Sequence, residues 1–176
     1  RIDAEMDAFG PIDSVWIDSN LVENCVTGGN ESMTIYGEVS NFFVTNNTVH
    51  DGTNIGMDMI GARAGSSYDL GAFGIPHNGL FRNNVAYNNG RTSWSASGIY
   101  VDGSGDTGTV GSIIIEDNIS YGNAMNGIEI GNEHAGETNG GIIVRRNILY
   151  GNNHASLCIG GTAGTVTKCQ FYNNVV

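Results

Sequence analysis

Apolar and polar residues alternate in short runs along the chain, and one of these runs recurs six times. It consists of an apolar residue, two polar residues, an asparagine and a usually apolar residue. The copies occupy residues 17–21, 44–48, 81–85, 115–119, 144–148 and 171–175. Every copy has the asparagine, and successive asparagines are 27, 37, 34, 29 and 27 residues apart. The run predicts a strand, a bend at the asparagine and a second strand.

A second kind of run lies between these copies and consists of an apolar, a variable and an apolar residue. It occupies residues 33–35, 57–59, 99–101, 128–130 and 157–159, and a glycine precedes it at Gly56, Gly98 and Gly127. Alternation with a period of two is typical of a strand with one buried face. Neither kind of run indicates a helix, so the pattern predicts an all-β fold.

The repeat is about 30 residues long and holds two or three short strands, which is typical of a solenoid. Each coil of a solenoid buries its apolar residues by stacking on the next coil, at a strand spacing of about 4.8 Å. We expect residues 1–176 to form one unit of about six coils, with clear coils from about residue 14. Because the last repeat stops inside a strand at Val176, we also expect the unit to be part of a longer chain.

The composition fits this architecture, since 27 of the 176 residues are glycine and 22 are asparagine. Both residue types tolerate the left-handed backbone of tight turns, and both are poor helix formers. Stacked asparagine side chains can also form hydrogen bonds along the axis of the stack. We therefore expect the six repeat asparagines to form a column.

The charge balance excludes some partners. The chain has 18 acidic and 7 basic residues, a net charge of −11, and nucleic-acid binding requires a basic surface that this composition does not supply. No stretch approaches the roughly 20 apolar residues of a membrane-spanning helix, so no membrane span is expected. The acidic, asparagine-rich and lysine-poor composition favours a secreted or periplasmic location. The oligomeric state is left open.

The six asparagine runs and the Gly-Ile-x-Ile runs between them resemble those of right-handed parallel β-helix proteins of the pectate-lyase-like superfamily. The resemblance covers about residues 14–176. It implies a right-handed parallel β-helix similar to bacterial extracellular proteins that act on polysaccharides. Those proteins include pectate, alginate and related lyases and some glycoside hydrolases.

Stacking of the coils converts the alignment of the second run into two outward-facing columns. The columns are Thr34, Asp58, Tyr100, Glu129, Cys158 and Tyr36, Ile60, Asp102, Gly131, Gly160. We predict that Asp58, Asp102 and Glu129 provide acid, base or metal-binding groups. Asp58 and Glu129 lie two coils apart, roughly 9–10 Å at the backbone, which is near the carboxylate separation of inverting glycosidases. Tyr100 is expected to contact the sugar.

Three glycine-rich segments follow the second run at the same corner of consecutive coils, at residues 61–79, 103–112 and 131–141. Insertions in solenoids usually lie on a binding face, so these segments are expected to flank the carboxylates and line a cleft around them. They add Arg63 and His134 as candidate catalytic residues, for substrate carboxylate binding and proton transfer. They also add Glu133 and His77 as candidate substrate-binding residues.

Three functions stay open at this point. Hydrolysis would use the carboxylates as acid and base, whereas β-elimination would use a Ca²⁺ ion bound by Asp58, Asp102 and Glu129. Lyases of the superfamily typically use lysine or arginine as the base, and because Lys168 is the chain's single lysine, Arg63 is the better candidate. The third possibility is a noncatalytic β-helix, such as an adhesin, a structural unit or a carbohydrate-binding module.

Two further columns are predicted to be structural. Arg82, Glu116 and Arg145 alternate in charge on adjacent coils and predict an ion-pair ladder. Three consecutive tyrosines, Tyr87, Tyr121 and Tyr150, predict an aromatic stack. No disulfide is predicted between the cysteines Cys25, Cys158 and Cys169.

Overall fold

The structure is a computed structural model. It describes residues 11–61, 74–91, 96–105, 108–133, 136–160 and 164–176, together with the backbone of residues 2–4. These residues form strands, turns and bends, and none of them is in a helix. The prediction of an all-β fold is confirmed.

The described strands are short, between two and six residues long. In chain order they are Ile2–Ala4 (β1), Ile12–Asp13 (β2), Trp16–Asp18 (β3), Leu21–Glu23 (β4), Met33–Gly37 (β5), Val39–Ser40 (β6), Phe43–Thr45 (β7), Thr48–His50 (β8), Met57–Ile60 (β9), Gly79–Arg82 (β10), Val85–Tyr87 (β11), Ile99–Asp102 (β12), Ile113–Glu116 (β13), Ile119–Tyr121 (β14), Asn126–Gly131 (β15), Thr138–Gly140 (β16), Ile142–Arg145 (β17), Ile148–Tyr150 (β18), Ala155–Ile159 (β19), Thr165–Thr167 (β20) and Gln170–Tyr172 (β21).

Three parallel sheets contain most of these strands. Sheet A has the order β1-β5-β9-β12-β15-β19, sheet B the order β3-β7-β10-β13-β17-β21, and sheet C the order β4-β8-β11-β14-β18. Two small parallel pairs, β2 with β6 and β16 with β20, complete the described strands. From β5 onward the chain visits sheets A, B and C in that order and returns to sheet A one strand further along. Each strand therefore pairs with its equivalents in the preceding and following repeats.

The register of sheet A reproduces the predicted outward columns. Thr34 pairs with Asp58, Asp58 with Tyr100, Tyr100 with Glu129, and Glu129 with Cys158. Successive side chains of a strand point to opposite faces, so the residues between the columns point the other way. Ile99 and Val101, on either side of Tyr100, are fully buried in a hydrophobic cluster that contains residues of all three sheets.

The repeat asparagines form the predicted column, and Asn118 shows its hydrogen bonding. Its Oδ1 accepts from the backbone N–H of Asn84 at 2.9 Å and from Asn84 Nδ2 at 3.0 Å. Its own Nδ2 donates to Asn147 Oδ1 at 3.0 Å and to the Phe81 carbonyl at 3.0 Å. The same bonding links the ladder Asn20, Asn47, Asn84, Asn118, Asn147 and Asn174.

The left-handed turn position is the residue before each ladder asparagine, not the asparagine itself. These six residues, Ser19, Asn46, Asn83, Asp117, Arg146 and Asn173, all have φ between 56° and 59°. The ladder asparagine is therefore selected by its hydrogen bonds, and the preceding residue makes the turn. Asparagine and aspartate are common at such positions because their short polar side chains tolerate this conformation.

A second asparagine ladder, which the repeat pattern alone did not single out, closes the opposite end of sheet C. Asn89 Nδ2 donates to Asn123 Oδ1 at 3.1 Å, and Asn123 Nδ2 donates to Asn152 Oδ1 at 2.9 Å. These three residues lie five positions after the first-ladder residues of the same repeats. Each strand of sheet C in these repeats thus lies between two asparagines that satisfy the buried backbone.

The predicted ion-pair ladder is present on the outer face of sheet B. The fully buried Glu116 carboxylate accepts from Arg82 Nε at 2.6 Å, Arg145 Nε at 2.6 Å and Arg146 Nη2 at 2.8 Å. Burial acts to raise the pKa of Glu116, but the hydrogen bonds from Arg145 and Arg82 outweigh it and hold that pKa below its ordinary value.

The predicted tyrosine stack is present on the outer face of sheet C. The ring centroids of Tyr87 and Tyr121 are 4.9 Å apart, and those of Tyr121 and Tyr150 are also 4.9 Å apart. His50 extends the stack at 4.4 Å from Tyr87. The rings of Tyr87 and Tyr121 are covered on both faces by their neighbours, whereas Tyr150 at the end of the stack is 52% exposed. This column therefore stabilises the stacking of repeats.

The first ladder yields a stability prediction. We expect Asn118→Ala to lower the free energy of unfolding by about 3 kcal/mol or more, because it removes four hydrogen bonds and leaves the buried Phe81 carbonyl without its side-chain donor. Urea unfolding measures the loss. The control is Asn20→Ala at the exposed end of the ladder, which should cost about 1 kcal/mol or less. Equal losses for the two variants would contradict the prediction.

Candidate functional site

The outer face of sheet A holds the predicted carboxylates, and most of it is covered. Asp58 on β9 and Asp102 on β12 are each 2% exposed, and Tyr100 between them is 6% exposed. Glu129 on β15 is half-buried. We call these four residues the carboxylate face. Acidic side chains are seldom fully buried unless they are paired, so a covered row of acidic groups is unusual.

Asp58 is in the most perturbed environment of the four. Its Oδ1 is buried and has no hydrogen-bond partner among the residues that the structure describes. Burial is the largest effect that raises the pKa of Asp58 well above its ordinary value, and the charges of Glu31, Asp102 and Glu133 raise it further. Asp58 is therefore protonated over much of the acidic range, and its carboxyl group can donate a proton.

Tyr100 lies diagonally across the face, above the next repeat. An added Cβ on Gly131 would lie 3.0 Å from Tyr100 Cε2 and 3.2 Å from its hydroxyl oxygen, so the ring occupies the space that a side chain at position 131 would need. Burial first, then the charges of Asp102 and Glu133, raise the pKa of Tyr100 far above its ordinary value. The phenol thus stays protonated and can act as a hydrogen-bond donor.

Asp102 and Glu133 meet where β15 ends. The backbone N–H of Glu133 points at Asp102 Oδ1 with an N–O distance of 3.4 Å, and the Glu133 side chain is exposed. Glu133 therefore lies beside the carboxylates: its backbone contacts Asp102, and its charge acts on Asp58 and Tyr100. Its substrate-binding role stays a prediction.

Glu129 is held by two neighbours that sequence reasoning did not select. Its Oε2 accepts from Ser97 Oγ at 2.5 Å and from Asn126 Nδ2 at 2.8 Å. Asn126 is oriented in turn by His154, whose Nδ1 lies 3.0 Å from Asn126 Oδ1. The sequence does contain a signal for these two residues. Ser97 and Asn126 each stand immediately before the glycine that precedes the second kind of run, Gly98 and Gly127.

The remaining predicted residues do not extend the described site. His77 lies at the corner between sheets A and B, where its backbone pairs with Ser40 and its Nδ1 lies 2.9 Å from the Ile75 carbonyl. Its contacts are thus with that corner rather than with the carboxylate face. Arg63 and His134 lie outside the described residues, as do most of the segment 61–79 and part of the segments 103–112 and 131–141.

The carboxylates of this face are also the predicted Ca²⁺ ligands. Within the described part of the chain, no group of three or more His, Cys, Asp or Glu side chains could hold a metal ion. Asp58 and Glu129 are separated by the Tyr100 strand, and Asp102 is directed to the Glu133 backbone, so these oxygens do not converge. The described residues do not form the Ca²⁺ site that the columns suggested, and the ion stays a prediction.

The chemical capability of the face is proton transfer between two separated carboxyl groups. Asp58 is a buried acid, and Glu129 is a half-exposed carboxylate with one oxygen fixed by two donors. They are two strand spacings apart, about 9–10 Å between backbones. That separation is near the carboxylate separation of inverting glycosidases, about 6.5–9.5 Å, and Tyr100 lies between the two residues.

No protein-family model matches the chain, and no solved structure matches it. The chain is similar to the uncharacterized protein YwoF of Bacillus subtilis (strain 168), with 32% identity over 148 residues. The similarity covers 82% of this chain and 30% of YwoF, so the chain spans about a third of the length of this curated relative. The name of this relative states no activity.

In the part of the chain that the structure describes, no helix has the length and hydropathy needed to cross a membrane.

The environment of Asp58 yields a prediction on pH. Its pKa is raised above the ordinary 3.8, so stability is fully present below that value and is lost as pH rises toward the folded-state pKa. Asp58→Asn removes this loss. We expect the stability of the variant relative to the native chain to increase with pH, by about 1.4 kcal/mol for each pH unit inside that window.

Urea unfolding between about pH 4 and about pH 8 measures the difference. Asp13→Asn is the control, because hydrogen bonds led by that of Ser40 lower the pKa of Asp13, so its stabilising contribution is lost only below the ordinary 3.8 and should stay constant over this pH range. The prediction is contradicted if the unfolding free energies of the native chain and Asp58→Asn differ by the same amount at every pH. The pKa of Asp58 would then be the same in the folded and unfolded states.

Proposed function

We propose that this chain is a right-handed parallel β-helix that acts on a polysaccharide in a secreted or periplasmic setting. The architecture is supported by the cyclic order of the three parallel sheets, the in-register repeats and the two asparagine ladders. Such a repeat presents long rows of equivalent positions, which suit an extended polymer. The location is supported by the acidic, lysine-poor composition.

The reaction that the carboxylate face supports best is hydrolysis of a glycosidic bond. Asp58 donates its proton to the glycosidic oxygen as the bond to the anomeric carbon breaks. Glu129 accepts a proton from the water that attacks this carbon from the opposite side, and the product has inverted configuration. The observation that carries the proposal is the buried Asp58 carboxyl, with its raised pKa and its unpartnered Oδ1.

Other residues of the face have supporting roles in this mechanism. Tyr100 keeps its proton and can donate a hydrogen bond to a sugar hydroxyl, while the negative charge of Asp102 helps keep Asp58 protonated before the reaction. Ser97 and Asn126 fix one oxygen of Glu129, leaving the other for water. Calcium-assisted elimination, the other route implied by the resemblance, relies on Arg63 and on a metal site that the described donors do not form.

A second candidate is a noncatalytic β-helix module that serves as an adhesin, a structural unit or a carbohydrate-binding surface. The observation that favours it is the 2% exposure of Asp58 and Asp102, since a catalytic acid must contact its substrate. Under this alternative, the carboxylate face packs the repeats and does not react.

A panel of neutral and uronate polysaccharides separates these possibilities. The native chain is incubated with each polymer, with and without a chelator, and both reducing ends and the ultraviolet absorbance of unsaturated uronate ends are measured. We expect new reducing ends without that absorbance. Asp58→Asn and Glu129→Gln should each lower the rate at least about 100-fold, as loss of an acid or base does.

The matched control is Glu23→Gln, which makes the same chemical change on sheet C, far from the carboxylate face. It should leave the rate within about twofold of the native rate. Unsaturated ends that form only in the absence of the chelator would favour metal-assisted elimination. Absence of product from every polymer, with the fold intact, would favour the noncatalytic module.

A further inference from the structure

The outer face of sheet B carries two rows of side chains that run perpendicular to the strands. The first, which we call the apolar row, consists of Trp16, Phe43, Leu80, Ile114 and Ile143. The second, which we call the charged row, lies two positions further along each strand and consists of Asp18, Thr45, Arg82, Glu116 and Arg145. Residues i and i+2 of a strand share a face, so the two rows lie side by side.

The apolar row is accessible to a partner. Trp16 is 65% exposed, and its ring stacks on that of Phe43 with 5.0 Å between the centroids and 13° between the planes. Leu80, Ile114 and Ile143 are half-buried and continue the row over three further strands. Four strand spacings separate the two ends of the row, which is about 19 Å. A continuous apolar row of this length on the outside of a sheet indicates a contact surface.

The charged row is balanced in sign, but its charges are not arranged symmetrically along the stack. Together with Asp117 and Arg146 of the following turns, it contains three acidic and three basic side chains. Glu116 is fully buried and accepts hydrogen bonds from all three arginines, so its charge is compensated within the row. The row therefore has an acidic end at Asp18 on β3 and a basic end at Arg145 on β17. Such a row does not select a ligand of one sign, but it is complementary to a reversed copy of itself.

Both ends of the charged row can bond to a partner. Hydrogen bonds led by that of Thr45 lower the pKa of Asp18, so its exposed carboxylate is ionised at neutral pH. Arg145 uses Nε for Glu116 and Nη1 for the Tyr172 hydroxyl. A guanidinium carries five N–H donors, so Arg145 retains donors for a further carboxylate. Charge-assisted bonds of this kind are strong and directional.

We propose that the outer face of sheet B is the interface of a homodimer, in which a second copy of this chain covers the apolar row. A two-fold axis parallel to the strands, over β10, brings the two faces together. This axis keeps the position along each strand and reverses the order of the strands, so each row lies on its own equivalent. It places Trp16 opposite the partner's Ile143 and Asp18 opposite the partner's Arg145. Leu80 lies at the axis and faces its own equivalent.

The charge order favours this axis over the alternatives. The dimer contains the Asp18–Arg145 pair twice, once at each end of the apolar row. An axis along the stack would instead leave the two charged rows on opposite sides of the contact, without partners. The two Arg82 side chains meet near the axis, where the Glu116 of each copy already compensates their charge. Two sheets with aligned strands pack about 10 Å apart, as in a β-sandwich.

Sedimentation equilibrium of the native chain measures the association. We expect a reversible monomer–dimer equilibrium with a Kd of about 1–100 µM, because two rows of five side chains form a smaller interface than the roughly 20–30 residues a side of standard complexes. Leu80→Lys brings two like charges together at the axis and should raise the Kd at least about tenfold. The matched control is Leu21→Lys, which makes the same change at a leucine that is 61% exposed on sheet C. It should leave the Kd within about twofold of the native value.

Asp18→Lys tests the charge pairing without touching the Glu116 ion pairs. It converts each Asp18–Arg145 attraction into a repulsion and should raise the Kd about tenfold at about 0.05 M salt, with a smaller effect at about 0.5 M salt. Urea unfolding of each variant separates lost association from lost folding.

Cysteine cross-linking locates the axis. A short bis-maleimide should join two copies of Leu80→Cys, because this position faces its own equivalent. Phe43→Cys should not link to its own equivalent, since the two lie two strand spacings apart along the stack, about 9–10 Å, in addition to the distance across the interface. A mixture of Phe43→Cys and Ile114→Cys should cross-link, because these positions face each other. The native chain, with its three cysteines, gives the background.

The outcomes are separate from the proposed hydrolysis, since none of them requires cleavage of a polymer. A dimer that Leu80→Lys and Asp18→Lys weaken, that Leu21→Lys does not weaken, and that cross-links at Leu80→Cys supports the proposal. A native chain that stays monomeric at about 1 mM overturns it and leaves the face to a different partner. The proposal is also overturned if Leu80→Lys and Leu21→Lys weaken the dimer equally, or if Phe43→Cys links to its own equivalent as readily as Leu80→Cys does.

Discussion

The structure depends on satisfying the backbone polar groups that lie inside the turns between sheets. A parallel strand of three residues cannot do this alone, and the turns on either side of sheet C leave N–H and carbonyl groups away from water. An asparagine has one acceptor and two donors in a rigid plane, so it can serve its own turn, the preceding repeat and the following repeat at once. The ladder centred on Asn118 shows the complete arrangement. Because each repeat completes its neighbour's hydrogen bonding, the repeats are stable only as a stack.

Different positions of the repeat stabilise the fold and present the chemical groups. The interior is filled by residues such as Ile99 and Ile115, and the turns are fixed by asparagines, so the outer faces of the three sheets are free to differ. Sheet C bears the stacked rings, sheet B bears arginines beside an apolar row, and sheet A bears acidic groups. The same repeat thus supports an inert face and two chemically distinct ones. Fold and function are specified by different positions of one repeat.

Much of the fold was predictable because periodicity reports directly on register. The two kinds of run predicted the all-β architecture, and the alignment of the second run predicted the outward columns. Positions counted from the six asparagines predicted the ion-pair ladder and the tyrosine stack. The second ladder was missed because Asn89, Asn123 and Asn152 recur in only three repeats. For the candidate site, the columns predicted that Asp58, Tyr100 and Glu129 are neighbours. They did not predict the burial of Asp58, which depends on tertiary cover, or the bonds from Ser97 and Asn126, which depend on side-chain rotamers. The contacts of His77 with Ser40 and Ile75 were not predicted, because loop length alone does not determine where a loop returns to the sheet.

The second ladder also affects the chemical lifetime of the chain. Asn89 precedes Gly90, and Asn–Gly sequences are prone to deamidation because the small glycine lets the backbone nitrogen attack the side-chain amide. In the folded chain the Asn89 amide is buried, and it donates to the Val49 carbonyl and to Asn123. The attack requires that amide to rotate out of both bonds. The hydrogen bonds that join the repeats therefore also protect Asn89 from deamidation. A chain that stays unfolded long enough for Asn89 to deamidate cannot form the same ladder when it refolds.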